Sequence, residues 1–218
     1  MAEQLTFDLP LRPALGRDAF FVTAANALAL RRIDGWRDWP GGRLILTGPP
    51  GSGKTHLAHV WAAESGARVC AEIPGAAAFD DGALVIEDAD RLLGSQEAEE
   101  ALFHLLNRAA ETGASLLMTA RDAPGRWRVG LRDLESRLLA SDTVALAPPD
   151  DALLSALLVK LFADRQIRIE PELVPYLVAR MERSASAARA LVAALDAAAL
   201  KAGRRVNRRL AREVLAGQ

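Results

Sequence analysis

Gly48-Pro49-Pro50-Gly51-Ser52-Gly53-Lys54-Thr55 is the stretch on which the reading of this chain turns. It fits the spacing G-x-x-x-x-G-K-[ST]. Glycines let the backbone turn so tightly that successive N–H groups point inward, at the oxygens of a phosphate. The helix expected next adds the positive end of its dipole. A lysine at the seventh position reaches β- and γ-phosphates, and a hydroxyl at the eighth ligates Mg²⁺. The flanks agree with this use. The apolar run Arg43–Thr47 reads as a strand, and 55–65 reads as a helix that carries His56 in its first turn, next to the phosphates. Lys54 is one of three lysines, with Lys160 and Lys201, in a chain that otherwise uses 24 arginines. The bland alternative is a glycine-rich turn that binds nothing, but such a turn needs neither strand nor helix around it.

Outward from the loop, the first 148 residues alternate strand and helix. A helix is expected over 18–33 with Asp18 as its N-cap, then a weak strand at 67–73 and a strong one at 83–86. An amphipathic helix spans 96–111, with Leu102, Leu105, Leu106 and Ala109 on one face. Further strands are expected at 115–119 and 143–147. This alternation predicts an α/β fold with a parallel sheet covered by helices on both faces. After Pro148-Pro149 only helical periodicity remains, over 150–165, 171–181, 184–201 and 207–216. The expected organisation is an irregular N-terminal segment at 1–17, a nucleotide-binding core at 18–148 and a small α-helical lid domain at 149–218.

Of the 218 residues, 50% are hydrophobic and 25% charged, which excludes a disordered chain. A chain this long buries roughly 70% of its unfolded surface and needs no disulfides. Its single cysteine, Cys70, allows no internal disulfide, fits a reducing compartment and is expected to be an inert core thiol. No stretch approaches the ~20 apolar residues of a membrane span. The opening MAEQLTFDLPLRP carries two acids and lacks the apolar core of a signal peptide. A cytoplasmic protein without a membrane partner is therefore expected. The net charge of −1 excludes a surface coated for nucleic acid. The charge is uneven, however. From residue 151 onward, 12 Lys and Arg face 7 Asp and Glu; before it, 15 face 21.

Leu84-Val85-Ile86-Glu87-Asp88 places two carboxylates at the C-terminal end of a buried strand, the edge at which parallel sheets bind ligands. The first acid would hold Mg²⁺ with Thr55, and the second would orient an attacking water. A solvated acidic turn is the alternative. Arg121, Arg137 and Arg189 are candidates to bring a planar, permanent cation to a γ-phosphate, in their own subunit or a neighbour's. Spacing alone does not choose among them. His56, His59 and His104 fall on predicted helices without metal-ligand spacing, so no zinc site is read. Trp36 and Trp39 are expected to pack the base of the first helix.

Five segments occur in one order: GPPGSGKTHLAHVWA at 48–62, LVIEDADRL at 84–92, LLMTARDAP at 116–124, LRDLESRL at 131–138 and SAARALVAAL at 186–195. In that order they resemble the AAA+ domain of the bacterial replication initiator DnaA, over nearly the whole chain. The sequence as read is expected to stand without the initiator's helix-turn-helix domain and without its long N-terminal region. That outline resembles the DnaA-related regulatory inactivators, the Hda family, in their alphaproteobacterial form. The resemblance implies an AAA+ fold in which Gly48 through Thr55 hold the phosphates of ADP or ATP with Mg²⁺. It gives Glu87 and Asp88 the place of the Walker B acids and Thr119 that of the sensor-one residue. Arg137 matches the arginine finger that points at a neighbour's nucleotide, and Arg189 matches the sensor-two arginine of the lid. Phe21, Val22 and Asn26 fall where the family lines its adenine pocket.

The resemblance extends to Gln4-Leu5-Thr6-Phe7-Asp8-Leu9, which is similar to the motif by which these proteins dock on the sliding clamp, the beta subunit of DNA polymerase III. A glutamine amide at a pocket rim, with Leu5, Phe7 and Leu9 as apolar anchors, suits an extended docking peptide. About eight residues then give a reach of roughly 15–17 Å as flexible chain. The implied function is regulation of replication initiation. The chain, holding ADP, would stimulate ATP hydrolysis by DnaA through Arg137 in trans, with DNA met only through the clamp and self-association among the implied assemblies. One departure bears on its own chemistry. The family's Walker B begins with Asp, whereas here the order is Glu-Asp, moving the metal-holding oxygen by about one methylene, so weak intrinsic hydrolysis is expected. Two other readings stay open. One is a stand-alone AAA+ ATPase similar to DnaC-like helicase loaders. The other is a DNA-binding module that uses Lys201, Arg204, Arg205, Arg208, Arg209 and Arg212, which otherwise form the polar face of a lid helix with Val206, Leu210 and Val214 turned inward.

Overall fold

A computed structural model describes residues 11–12, 20–75, 79 and 82–216. Strand β1 (Leu11–Arg12) pairs antiparallel with β2 (Phe20–Phe21). Strands β3 (Arg43–Thr47), β4 (Arg68–Cys70), β5 (Leu84–Ile86), β6 (Leu116–Ala120) and β7 (Asp142–Ala145) form a parallel sheet in the order β4-β5-β6-β3-β7. The three inner strands read RLILT, LVI and LLMTA and are buried at nearly every position, as strands covered on both faces must be.

Alternation sends successive side chains to opposite faces. Ile45, Leu84, Ile86, Leu116 and Met118 meet Leu102, Leu105 and Leu106 of α4 (Gln96–Thr112) and Leu134 and Leu138 of α5 (Arg132–Leu139). On the other side α2 (Lys54–Ser65) lies along β5 and β6, and α1 (Ala27–Asp34) along β7. A short helix, α3 (Ala89–Leu92), follows β5 and packs on β6. Trp61 of α2 is fully buried, with the Trp39 ring 5.1 Å and the Trp36 ring 6.0 Å away. Trp39 also donates its indole N–H to Arg32 O at 2.7 Å, so these rings close the end of α1 against α2 as expected.

Contacts gather the chain into two units, Asn26–Ala147 and, separately, Pro148 onward together with residues 20–25. The second unit holds α6 (Asp151–Asp164), α7 (Leu173–Val178), α8 (Ala185–Ala202) and α9 (Arg208–Ala216) around Leu158, Phe162, Leu177, Leu191, Leu195 and Leu210. Asp150 caps α6 by accepting from Leu153 N–H, and Ser184 caps α8 by accepting from Ala187 N–H. Val206 and Leu210 are buried, and Val214 packs against the same core. Around them Arg204 and Arg209 pair with Glu213, and Arg180 and Arg208 stack on Tyr176, so the basic cluster forms the polar face of this unit. Among the described residues no helix is long and apolar enough to cross a membrane.

Three expectations change. The helix read over 18–33 begins only at Ala27, because Phe20-Phe21-Val22-Thr23 is an aromatic and β-branched run that favours extended backbone. Helix α5 was not anticipated, since its eight residues bury only Leu134 and Leu138. Cys70 is half-buried at the end of edge strand β4, packed against the core cluster without being enclosed by it. Truncating the aromatic centre, Trp61→Ala, should cost ~3–5 kcal/mol of stability as a shift in urea midpoint at unchanged m-value.

Candidate nucleotide site

The loop leaves β3 through Gly48, whose φ is 152°. A Cβ at Gly48 would lie 2.4 Å from Leu146 O and 3.0 Å from Ser52 Oγ, so no other residue fits. Gly48 N–H donates to Ala120 O at 3.2 Å, tying the loop to the end of β6. Gly53 opens α2 with φ 103°. Lys54 folds back over the loop and donates to Gly48 O at 2.8 Å and Pro49 O at 3.1 Å. Burial holds its ammonium below the ordinary lysine value; Asp88 and Asp90 push it back up, and Arg121 adds to the lowering. Ser52 Oγ is buried without a hydrogen-bond partner. Thr55 and His56 are exposed on the first turn of α2.

The acidic pair follows β5. Asp88 N–H donates to Thr119 Oγ1 at 2.9 Å, and Thr119 is 1% exposed on β6. That bond holds Asp88 in the left-handed region, at φ 47°, a conformation that costs energy outside glycine and clusters at functional sites. Glu87 Oε1 is buried, makes no hydrogen bond and lies 3.6 Å from His59 Nε2. Asp90 Oδ2 accepts from Arg121 N–H at 3.0 Å, which draws the ends of β5 and β6 together.

The core unit therefore gathers Ser52, Lys54, Thr55, Glu87, Asp88 and Thr119 at the C-terminal edge of β3, β5 and β6. Arg137 is not among them. It sits near the end of α5, which leads into β7 at the opposite edge of the sheet. There Ser141 Oγ donates to Arg137 O and accepts from Arg43 Nε, each at 2.8 Å, and Arg43 begins β3. Burial, and then the Arg137 guanidinium, lower the Arg43 pKa from its usual value. A five-residue strand, about 16 Å, thus separates Arg137 from the loop of its own chain. Asn26 precedes α1 and is buried. Phe21, Val22 and Arg189 belong to the helical unit, Arg189 exposed on α8. Gln4, Leu5, Phe7 and Leu9 lie outside the described residues. Sequence reasoning named His59 only to exclude a zinc site and did not single out Asp90 or Glu99. The i, i+4 spacing of Thr55 and His59 puts both on one face of α2, a signal that was available for the first.

The site is thus a glycine-rich phosphate-type loop set at the C-terminal edge of a parallel sheet ordered β4-β5-β6-β3-β7. The description "ATPase family associated with various cellular activities (AAA)" matches residues 44–118. The chain is 31% identical over 229 residues to the chromosomal replication initiator protein DnaA of Caulobacter sp. (strain K31), covering 91% of this chain and 47% of that one. It thus spans about half the length of this relative. Domain III of the Thermotoga maritima initiator DnaA superposes with a TM-score of 0.77 at 18% identity, over 95% of this chain and 98% of that structure. The AMPPCP-bound DnaA from Aquifex aeolicus superposes at 0.66 and 16% identity, over 81% and 63%. This chain has the AAA+ fold of domain III of DnaA.

Thr119→Val removes the acceptor for Asp88 N–H at nearly constant volume. It should cost ~1–3 kcal/mol in urea denaturation, with faster hydrogen exchange at the Asp88 amide.

Proposed function

We propose that this chain regulates chromosome replication initiation by holding an adenine nucleotide and offering Arg137 to the ATP of the initiator DnaA. The observation that carries the reading is the place of Arg137, a full strand length from the chain's own loop and on the far edge of the sheet. From there the guanidinium serves a second molecule's nucleotide. It makes no ion pair among the described residues, so its charge is free for that use. An arginine supplied in trans is worth ~10³–10⁵ in the rate of phosphoryl transfer.

The loop fits the nucleotide. Ser52 Oγ is an unpartnered buried hydroxyl inside the cradle, and Lys54 holds two carbonyls that phosphate oxygens would replace. Thr55 and Glu87 would hold Mg²⁺, and Glu87 Oε1, buried without a hydrogen bond, suits a cation. A bound Mg²⁺ would supply positive charge against the phosphate oxygens at this edge of the sheet. The chain's own groups do the rest: backbone N–H groups bind, Lys54 orients, and Thr119 fixes Asp88. ADP is the proposed working ligand. The segment with Gln4, Leu5, Phe7 and Leu9 would tether the chain to the sliding clamp, raising its local concentration near DNA-loaded complexes.

Arg137→Ala should retain nucleotide and clamp binding and lose the stimulation of ATP hydrolysis by DnaA; stimulation that persists removes the finger from the account. Gln4→Ala with Phe7→Ala should abolish pull-down of the clamp, and undiminished pull-down removes the tether.

A further inference from the structure

We infer that Glu99 and Phe103, one turn apart on α4, form a bracket that fixes the aim of Arg137. Helix α5 has no side-chain cap of its own, since Leu131 stands at its N-cap position. A remote carboxylate takes that place. Glu99 Oε1 and Oε2 accept from Gly130 N–H at 3.1 and 2.9 Å, and Oε2 accepts from Leu131 N–H at 2.8 Å. Glu99 is 7% exposed, and a carboxylate is held at such burial only by bonds of this kind. Its charge also meets the positive end of the α5 dipole.

Phe103 lies under the other end of the helix, its ring centroid 5.0 Å from Arg137 Cζ. Ser141 holds the Arg137 carbonyl from beyond the helix. The start of α5, the backbone of Arg137 and its guanidinium are thus each anchored. The choice of an aromatic anchor matters. A carboxylate in its place would neutralise the guanidinium, whereas a ring face orients it and leaves its charge for a phosphate. Glu99 and Phe103 are positioning residues. Their effect on a partner's chemistry rests on the reading of Arg137 as a trans finger; their effect on the order of Arg137 does not.

The full chain and its Glu99→Gln, Phe103→Leu and Phe103→Tyr variants are compared by ¹⁵N relaxation at Arg137 Nε and amide exchange. The Arg137 order parameter should fall in Glu99→Gln and Phe103→Leu and recover in Phe103→Tyr. Exchange at Gly130 and Leu131 should quicken about tenfold or more in Glu99→Gln alone. With ATP-bound DnaA at saturation, the first two variants should lower the maximal stimulated rate about tenfold and leave the half-saturating concentration within about twofold, with Phe103→Tyr restoring the rate. A packing role alone would be met as well by Leu as by Tyr. Should Glu99→Gln fail to fold, the two Phe103 variants decide. An unchanged order parameter in Phe103→Leu overturns the bracket, as does a full stimulated rate in a variant whose Arg137 has lost order. If Arg137→Ala itself keeps the stimulation, the finger reading fails, and the relaxation data still decide the bracket.

Discussion

Strand β3 is hydrogen-bonded in parallel on both edges, to β6 and to β7, and its register on each is a single fixed fact on which the site depends. Leu46 stands beside Thr119 and Thr47 beside Ala120, so the loop that leaves β3 emerges level with the acids that leave β5. On the other edge Leu44 stands beside Asp142, so the start of β7 comes level with the start of β3. A slip of one residue would turn the buried Leu44 and Leu46 to the opposite face and exchange them with Ile45. The burial of these strands on both sides therefore protects more than stability. It sets the loop at one edge of the sheet and Arg137 at the other.

Around that register, backbone amides do the detailed positioning. Gly48 N–H is held by the end of β6, Asp88 N–H by Thr119 and Arg121 N–H by Asp90. Each bond joins neighbouring strand ends across the edge where a phosphate would sit. A cradle built this way keeps its shape before any ligand arrives, which lowers the ordering cost of binding. Lys54 contributes by occupying two carbonyls of the loop that would otherwise repel an anion. Its own burial is costly, and the nearby Asp88 and Asp90 offset part of that cost.

Much of this was legible in the residues, and the failures have physical causes. Arg43–Thr47 was read with its observed limits because a short apolar run before a glycine-rich turn has few other meanings. Strands β6 and β7 were displaced by a residue or two, within the fraying of strand ends. Helices α6 and α8 were placed closely because Asp150 and Ser184 announce their starts. Helix α5 was not, because it lacks a local cap and a wide apolar stripe. Its start is stabilised from Glu99, some thirty residues earlier, and no window short enough to read periodicity contains both partners. The same distance hid Glu99. Phe20 and Phe21 were drawn into a helix by the apolar spacing of the residues after them, when their own preference was extended.

The order Glu87-Asp88 gains meaning from what surrounds it. The longer arm of Glu87 brings Oε1 to within 3.6 Å of His59 Nε2 on α2, one turn beyond Thr55. Asp88, in turn, is held at a positive φ by its bond to Thr119 and faces Arg91 at 3.5 Å. An ion pair this exposed is weak, so Asp88 is held by its backbone amide and not by its carboxylate. The two acids therefore differ: Glu87 presents a buried carboxylate oxygen beside α2, and Asp88 is tied to β6 through its backbone amide. Arg137 stands apart from both, joined through Ser141 to Arg43 at the far end of β3.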